Sequence, residues 1–245
     1  MTYERVAVLM GGWGEEREIS VRTGEAVARA LQKQRAPRQV HRVLAGPGLD
    51  RALRGLDVQA VFVALHGRMG EDGSVQGLLE VLELPYTGSG VLASALAMDK
   101  PMAKKVLAHH NLPTPRGYVT AAAPAEEVLE RHGDFGFPVV VKPARSGSSC
   151  GLSVVADAGA LPAAVASAAR FGGAVLVERL VRGRELTVAV LDDEVLGSCE
   201  IQPSAGVFDH ASKYGGRSRY RLRPRVSPTR LRNVEALALT AHRAL

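Results

Sequence analysis

The sequence predicts an α/β protein with a parallel sheet in its first part, and three observations lead there. The run Ala60 to Leu65 (AVFVAL) is almost wholly apolar and of strand length, the pattern of a strand buried on both faces of a parallel sheet. Near the start, strand Val6 to Met10 enters the loop GGWGEEREIS and then a helix carrying Val21, Ala26, Val27, Ala30 and Leu31 at helical spacing, which makes a strand-loop-helix unit. Further on, strand Phe137 to Val141 (FPVVV) runs into KPARSGSSCGLSVV, a lysine followed by glycines and small hydroxyl residues.

Each element has its local reason. The GGWGEE loop matches neither the dinucleotide fingerprint nor the P-loop, and its acids would repel phosphate, so a cationic ligand group suits it better. His66 follows the apolar strand at its C-terminal end, where ligands collect in open α/β sheets, and Gly67, Gly70 and Gly73 let the backbone approach one closely. Taken alone, the Glu71-Asp72 pair there fits a solvated glycine-rich turn. Ser74 is the expected N-cap of a helix through Leu78, Leu79 and Leu82, which PYTGSG ends. Asp99 is the expected cap of a helix Lys100 to His109, with Pro101 in its first turn and NLPTP as its stop. Lys142 and the loop after it have a phosphate-cradling composition: backbone N–H groups and serine hydroxyls are neutral donors and the lysine adds charge. Strand Ala174 to Val177 leads into ERLVRGRELTVAVL, and Asp192-Asp193 forms the turn of a hairpin with EVLGSCEI. In residues 217–225 (RSRYRLRPR) arginines recur at every second position and would share one face of a strand, either binding phosphates or guarding a solvated sheet edge. Ser227-Pro228 then opens a last helix carrying Leu231, Val234, Leu237, Leu239 and Ala241 through to Leu245.

Composition narrows the class. A chain of 245 residues with 46% hydrophobic content can bury a substantial core and hold more than one lobe. The first strand is too short for a signal-peptide core, and no apolar run approaches the ~20 residues needed to span a bilayer, so a cytoplasmic protein without a membrane partner is expected. Cys150 and Cys199 lie far apart without zinc-type spacing and are expected to be free thiols. The net charge of +6 is compatible with nucleic acid, but with aromatic residues at 4% and no nucleic-acid motif, none is expected as a partner.

The blocks HGRMGEDGSVQGLLE, PYTGSG and ALAMDK, in that order, strongly resemble the D-alanine–D-alanine ligases, ATP-dependent enzymes of bacterial peptidoglycan synthesis with the ATP-grasp fold. The resemblance implies an N-terminal parallel-sheet α/β lobe over residues 1–90, a central α+β lobe over 91–182 and an incomplete C-terminal lobe over 183–245. It implies that Glu16 holds the ammonium group of the first D-alanine and that His66 lies near its carboxylate. Ser148 and Tyr214 join Glu16 in a hydrogen-bonded network around that substrate. Lys100, Lys142 and Lys213 match residues that contact the ATP phosphates. In the adenosine segment, Glu178, Arg179 and the backbone beside Leu180 and Val181 meet the adenine, and Glu185 meets the ribose hydroxyls, where a carboxylate suits a diol. GVFDHASKYGG is similar to the family's closing loop, with glycines at 215 and 216 as hinges. The chain departs from the usual pattern at Gly14, where Ser is common, and at His210, where an aromatic Tyr is common.

The reaction so implied is a two-step ligation through an acyl phosphate, with magnesium or manganese at the transferring phosphoryl group. The Asp, Glu and Asn that bind the metal, and an oxyanion-binding arginine, lie in family members beyond the point matching Leu245. No metal ligand is therefore assigned, and residues 1–245 by themselves are expected to catalyse poorly. Two other readings stay open: a non-catalytic ATP-grasp remnant that binds nucleotide or a partner, and a ligase making D-alanyl-D-lactate or D-alanyl-D-serine. The resemblance implies that the pair Lys213-Tyr214 favours D-alanine as acceptor, and it also implies a homodimer.

Overall fold

A computed structural model describes residues 3–14, 16–202 and 218–245. The chain divides into two compact units, Met1–Met98 and Asp99–Leu245.

The first unit is built on a parallel sheet of order β2-β1-β3, with β1 Arg5–Gly11, β2 Gln39–Ala45 and β3 Ala60–Val63. β1 is central, and its alternation feeds two cores. Ala7 and Leu9 pack with Leu49 and Leu53 of α2 (Leu49–Arg54) and with Val75 and Leu79 of α3 (Ser74–Val81). Val8 and Met10 pack on the other face with Ala28 of α1 (Arg17–Leu31). The expected first strand and first helix are therefore present, with a parallel sheet between helical layers. β3 is shorter than the apolar run that predicts it, and Phe62 and Val63 are only half-buried. The reason is position: β3 ends the strand order, and beyond it, among the described residues, lies only an isolated parallel bridge from Val61 to Tyr86. The N-cap of α3 also differs from expectation. Gly73, at φ 88°, holds that place because its carbonyl accepts the Gly77 N–H at 2.9 Å, and Ser74 is the first helical residue, its N–H taken by the Asp72 carboxylate at 3.0 Å. Helix α4 (Val91–Met98) closes the unit by meeting α3, with the Val91 carbonyl and Ala95 beside Gly73.

The second unit opens with α5 (Lys100–His109), whose cap is the expected one: the Asp99 carboxylate accepts the Met102 N–H at 3.0 Å. An antiparallel sheet of order β4-β7-β5-β6 follows, from β4 Gly117–Ala121, β5 Val139–Pro143, β6 Ser153–Val155 and β7 Ala174–Arg179. One face of it, Val139, Val141, Val155, Val175 and Val177, buries against α6 (Ala125–His132) and α7 (Leu161–Ala169). A second antiparallel sheet, β10-β9-β8, contains the expected hairpin of β8 (Glu185–Leu191) and β9 (Glu194–Gln202), with Asp192 at φ 52° in its turn. β10 (Arg219–Arg221) pairs with β9 and ends the order, so the arginine stripe does contribute an edge strand. Helix α8 (Pro228–Ala244) starts at the predicted cap, where Ser227 Oγ accepts the Arg230 N–H at 3.4 Å. Among the described residues, no helix is long and apolar enough to cross a membrane.

Candidate functional site

In the first unit the chemistry gathers at the C-terminal ends of β1 and β3, the edge at which open parallel sheets take ligands. Glu16 stands at the N-cap position of α1, yet its carboxylate does not cap the helix. It lies instead over Gly67, so close that a Cβ added there would sit 2.3 Å from Glu16 Oε2. Gly67 is at φ 64°, and its N–H donates to Glu71 Oε2 at 2.8 Å, which brings a second carboxylate to the same residue. His66 is half-buried, with Nε2 3.1 Å from Thr23 Oγ1 of α1. Asp72 fastens the loop by accepting the Met69 N–H at 2.9 Å and the Ser74 N–H. Burial pushes the Asp72 carboxyl up, but these hydrogen bonds together outweigh it and the net displacement is downward.

The two loops are joined by a residue that sequence reasoning does not single out. Ser20, fully buried on α1, accepts the Gly11 N–H at 2.8 Å and donates to the Ala64 carbonyl at 2.8 Å. One hydroxyl thus ties the end of β1 to the end of β3, and with them the loops bearing Glu16 and His66. The result is a concentration of carboxylate charge beside glycine backbone, suited to an ammonium group.

In the second unit the relevant surface is the face of the β4-β7-β5-β6 sheet opposite the valine core. Glu178 of β7 and Lys142 of β5 lie diagonally across the strand pair and form an ion pair. Glu178 is only 5% exposed, and its other carboxylate oxygen pairs with Lys104 of α5. The Lys104 ammonium also donates to the Pro115 carbonyl. Gly117, opposite Glu178 on β4, makes room for this arrangement: a Cβ there would lie 2.6 Å from the Val177 carbonyl oxygen and 2.9 Å from Glu178 Cγ. A buried carboxylate with two lysines leaves one excess positive charge at the end of β5, where the loop 144–152 departs. In that loop Ser148 and Ser149 both adopt left-handed backbone, at φ 48° and 59°. Lys100, at the start of α5, donates to the Ser146 carbonyl at 2.5 Å, so it belongs with the same loop.

Arg179 donates to the Phe137 carbonyl at 3.3 Å and lies over the Phe135 ring. The Leu180 N–H is taken by the Pro138 carbonyl at 3.2 Å, and Val181 is exposed. Glu185 is exposed at the start of β8, beside Arg184, which pairs at 2.7 Å with the buried Glu200 of β9. Glu200 also accepts the Arg225 N–H, which is the main cause holding its carboxyl below the ordinary range. Lys213, Tyr214, His210 and the glycines at 215 and 216 lie outside the described residues. Among the described residues no cluster of three His, Cys, Asp or Glu side chains could hold a metal ion, so no ligand set for magnesium can be named.

Comparison with known proteins bears on this geometry. The family described as "D-ala D-ala ligase C-terminus" matches residues 117–245, and that described as "D-ala D-ala ligase N-terminus" matches residues 45–89. A D-alanine–D-alanine ligase from Anaeromyxobacter sp. (strain Fw109-5) is 46% identical over 245 residues, which is all of this chain and 79% of that protein. The chain belongs to the D-alanine–D-alanine ligase family. Its fold agrees: the crystal structure of a ligase of that name from Bacillus anthracis superposes with a TM-score of 0.82 at 31% identity, covering 98% of this chain and 78% of that one. A structure of the Bacillus anthracis ligase complexed with ATP gives a TM-score of 0.79 at 27% identity, covering 98% and 77%. The mixture of one parallel and two antiparallel sheets is thus the ATP-grasp architecture of this ligase family.

Proposed function

We propose that the chain carries out the ADP-forming ligation of two D-alanines to D-alanyl-D-alanine for peptidoglycan synthesis. In this reading the first unit takes the amino acid. Glu16 holds the ammonium group of the first D-alanine and His66 approaches its carboxylate. The second unit takes the nucleotide. Lys142 and Lys100 face the phosphates, Glu178 and the Arg179 to Val181 segment face the adenine, and Glu185 faces the ribose. Ser148, Tyr214 and Lys213 keep the roles that the family resemblance gives them. An N-terminal domain over residues 1–90, a central one over 91–182 and a C-terminal one over 183–245 divide these tasks.

The chemistry follows from those assignments. A carboxylate oxygen of the first D-alanine attacks the γ-phosphorus of ATP, ADP leaves, and an acyl phosphate forms. The neutral amine of the second D-alanine then attacks the acyl carbon, the C–O bond to phosphate breaks, and the proton that the nitrogen loses leaves with the departing inorganic phosphate. The protein contributes mainly position and charge: lysines offset phosphate charge, and Glu16 fixes the ammonium end of the electrophile. No step is assigned to a metal ion, because the described residues provide no ligand cluster for one.

The observation that carries this reading is the buried Glu178 flanked by two lysines at the mouth of a serine- and glycine-rich loop, which leaves net positive charge where a triphosphate would lie. The test is to incubate the chain with ATP, magnesium and either D-alanine or L-alanine, and to measure ADP and dipeptide by mass spectrometry. D-alanine-dependent ADP release with D-alanyl-D-alanine is the expected result, at a low rate because the described residues provide no ligand set for magnesium. ATP and D-alanine binding without dipeptide would instead mark a nucleotide-binding remnant.

A further inference from the structure

We infer that Lys104 is a positioning residue for the nucleotide site: it holds the Glu178 carboxylate in place, so that Lys142 can exchange Glu178 for the phosphates of the incoming nucleotide. The inference rests on the nucleotide reading given above and goes beyond it, since Lys104 matches no residue to which that reading gives a role.

Glu178 is almost entirely buried, and an ionised carboxylate removed from water needs partners for its lone pairs. It has two, one on each oxygen: Lys142 on Oε2 and Lys104 on Oε1. If Lys142 is to serve a phosphate, it must give up some or all of its contact with Glu178. With Lys142 as sole partner, that exchange would leave a buried, unpaired carboxylate and would be strongly opposed. Lys104 removes the obstacle, because the second oxygen keeps a cation throughout.

The two lysines are also held differently. Lys104 sits on α5 and is tied a second time, by the Pro115 carbonyl just before β4. Lys142 is the penultimate residue of β5, at the point where the chain enters the 144–152 loop. The anchored lysine is therefore suited to stay, and the lysine at the loop is suited to switch. Lys100 and Lys104 are four residues apart on one helix and so share a face. Lys100 reaches the Ser146 carbonyl in the loop, while Lys104 reaches the carboxylate beneath it.

The test is nucleotide binding, read by calorimetric titration of ATP into wild type, K104M, K104R, E178Q and the K104M/E178Q double variant, each first shown to melt cooperatively. K104M is expected to weaken ATP binding at least tenfold, and K104R to recover most of that loss. In the E178Q background, where no carboxylate remains to be held, K104M should cost less than a further twofold. Lys104 acting only as a structural tether to Pro115 predicts equal losses in both backgrounds, and that outcome overturns the inference, as does wild-type affinity in K104M. Absence of ATP binding by the wild-type chain is a separate result: it removes the nucleotide reading, and the inference with it.

Discussion

Replacing Ser20 with alanine isolates the feature that joins the two loops of the first unit. The hydroxyl accepts from the Gly11 N–H and donates to the Ala64 carbonyl, each at 2.8 Å, at a fully buried position. The alanine variant leaves both backbone groups without that partner. An unsatisfied buried group costs about 1–3 kcal/mol, and the carbonyl keeps a second lone pair, so the combined loss is about 2–4 kcal/mol. That is roughly a 30- to 700-fold fall in the folded-to-unfolded ratio of the unit. Trp13, the only tryptophan in the chain, lies in the affected loop but is already exposed, so urea unfolding is followed by far-ultraviolet circular dichroism rather than by its fluorescence. The midpoint should fall, and D-alanine binding should weaken because the Glu16 and His66 loops lose their common anchor. A stability change below about 0.5 kcal/mol, the range of ordinary surface substitutions, would refute the idea that this hydroxyl holds the two strand ends together.

Further outcomes follow from the same geometry. Gly67→Ala places a methyl group against the Glu16 carboxylate, so D-alanine affinity should drop at least tenfold while ATP affinity is retained; equal losses for both ligands would show a general folding defect. Gly117→Ala intrudes on the Val177 carbonyl and Glu178, and should cost about 1–3 kcal/mol in stability together with ATP binding, both measurable by thermal shift with and without nucleotide. The Asp72 carboxyl lies below its ordinary value in the folded protein, so its contribution is present above the usual Asp range and is lost as pH falls through the lower folded value. Asp72→Asn should therefore flatten the acid limb of stability, and an unchanged limb would count against the assignment. Burial, with help from Arg179, pushes the His132 imidazole down while Tyr118 contacts its Nδ1 at 2.8 Å. Its contribution is thus complete above the ordinary imidazole range and declines as pH falls towards the lower folded value, a slope that His132→Gln should remove.

Much of this was legible from residue pattern because local rules and packing agree. The Asp99 cap, the Ser227-Pro228 start and the Asp192-Asp193 hairpin each depend on short-range chemistry, and each is found where it was expected. The failures were tertiary. AVFVAL has the composition of a doubly buried strand, but nothing local says that β3 ends the strand order and leaves Phe62 and Val63 half-covered. Ser74 is a reasonable cap until the Gly73 carbonyl is seen to start the helix one residue earlier, with Asp72 holding the Ser74 N–H. In the site, Lys104 carries a weak signal, its four-residue spacing from Lys100, whereas its partner Glu178 is 74 residues away and can be identified only from the fold. Ser20 and Gly117 are equally silent, since Ser20 on α1 matters for the two strand ends it bridges and Gly117 for what stands opposite it on β7.

The most direct test of the central claim is the stoichiometry of ADP and D-alanyl-D-alanine released by the chain from ATP and D-alanine in the presence of magnesium. The account predicts the two products in equal amounts, formed with D-alanine and not with L-alanine, and abolished together by Glu16→Gln or Lys142→Met. ADP release that ignores the configuration of the amino acid, or that yields no dipeptide, would contradict it.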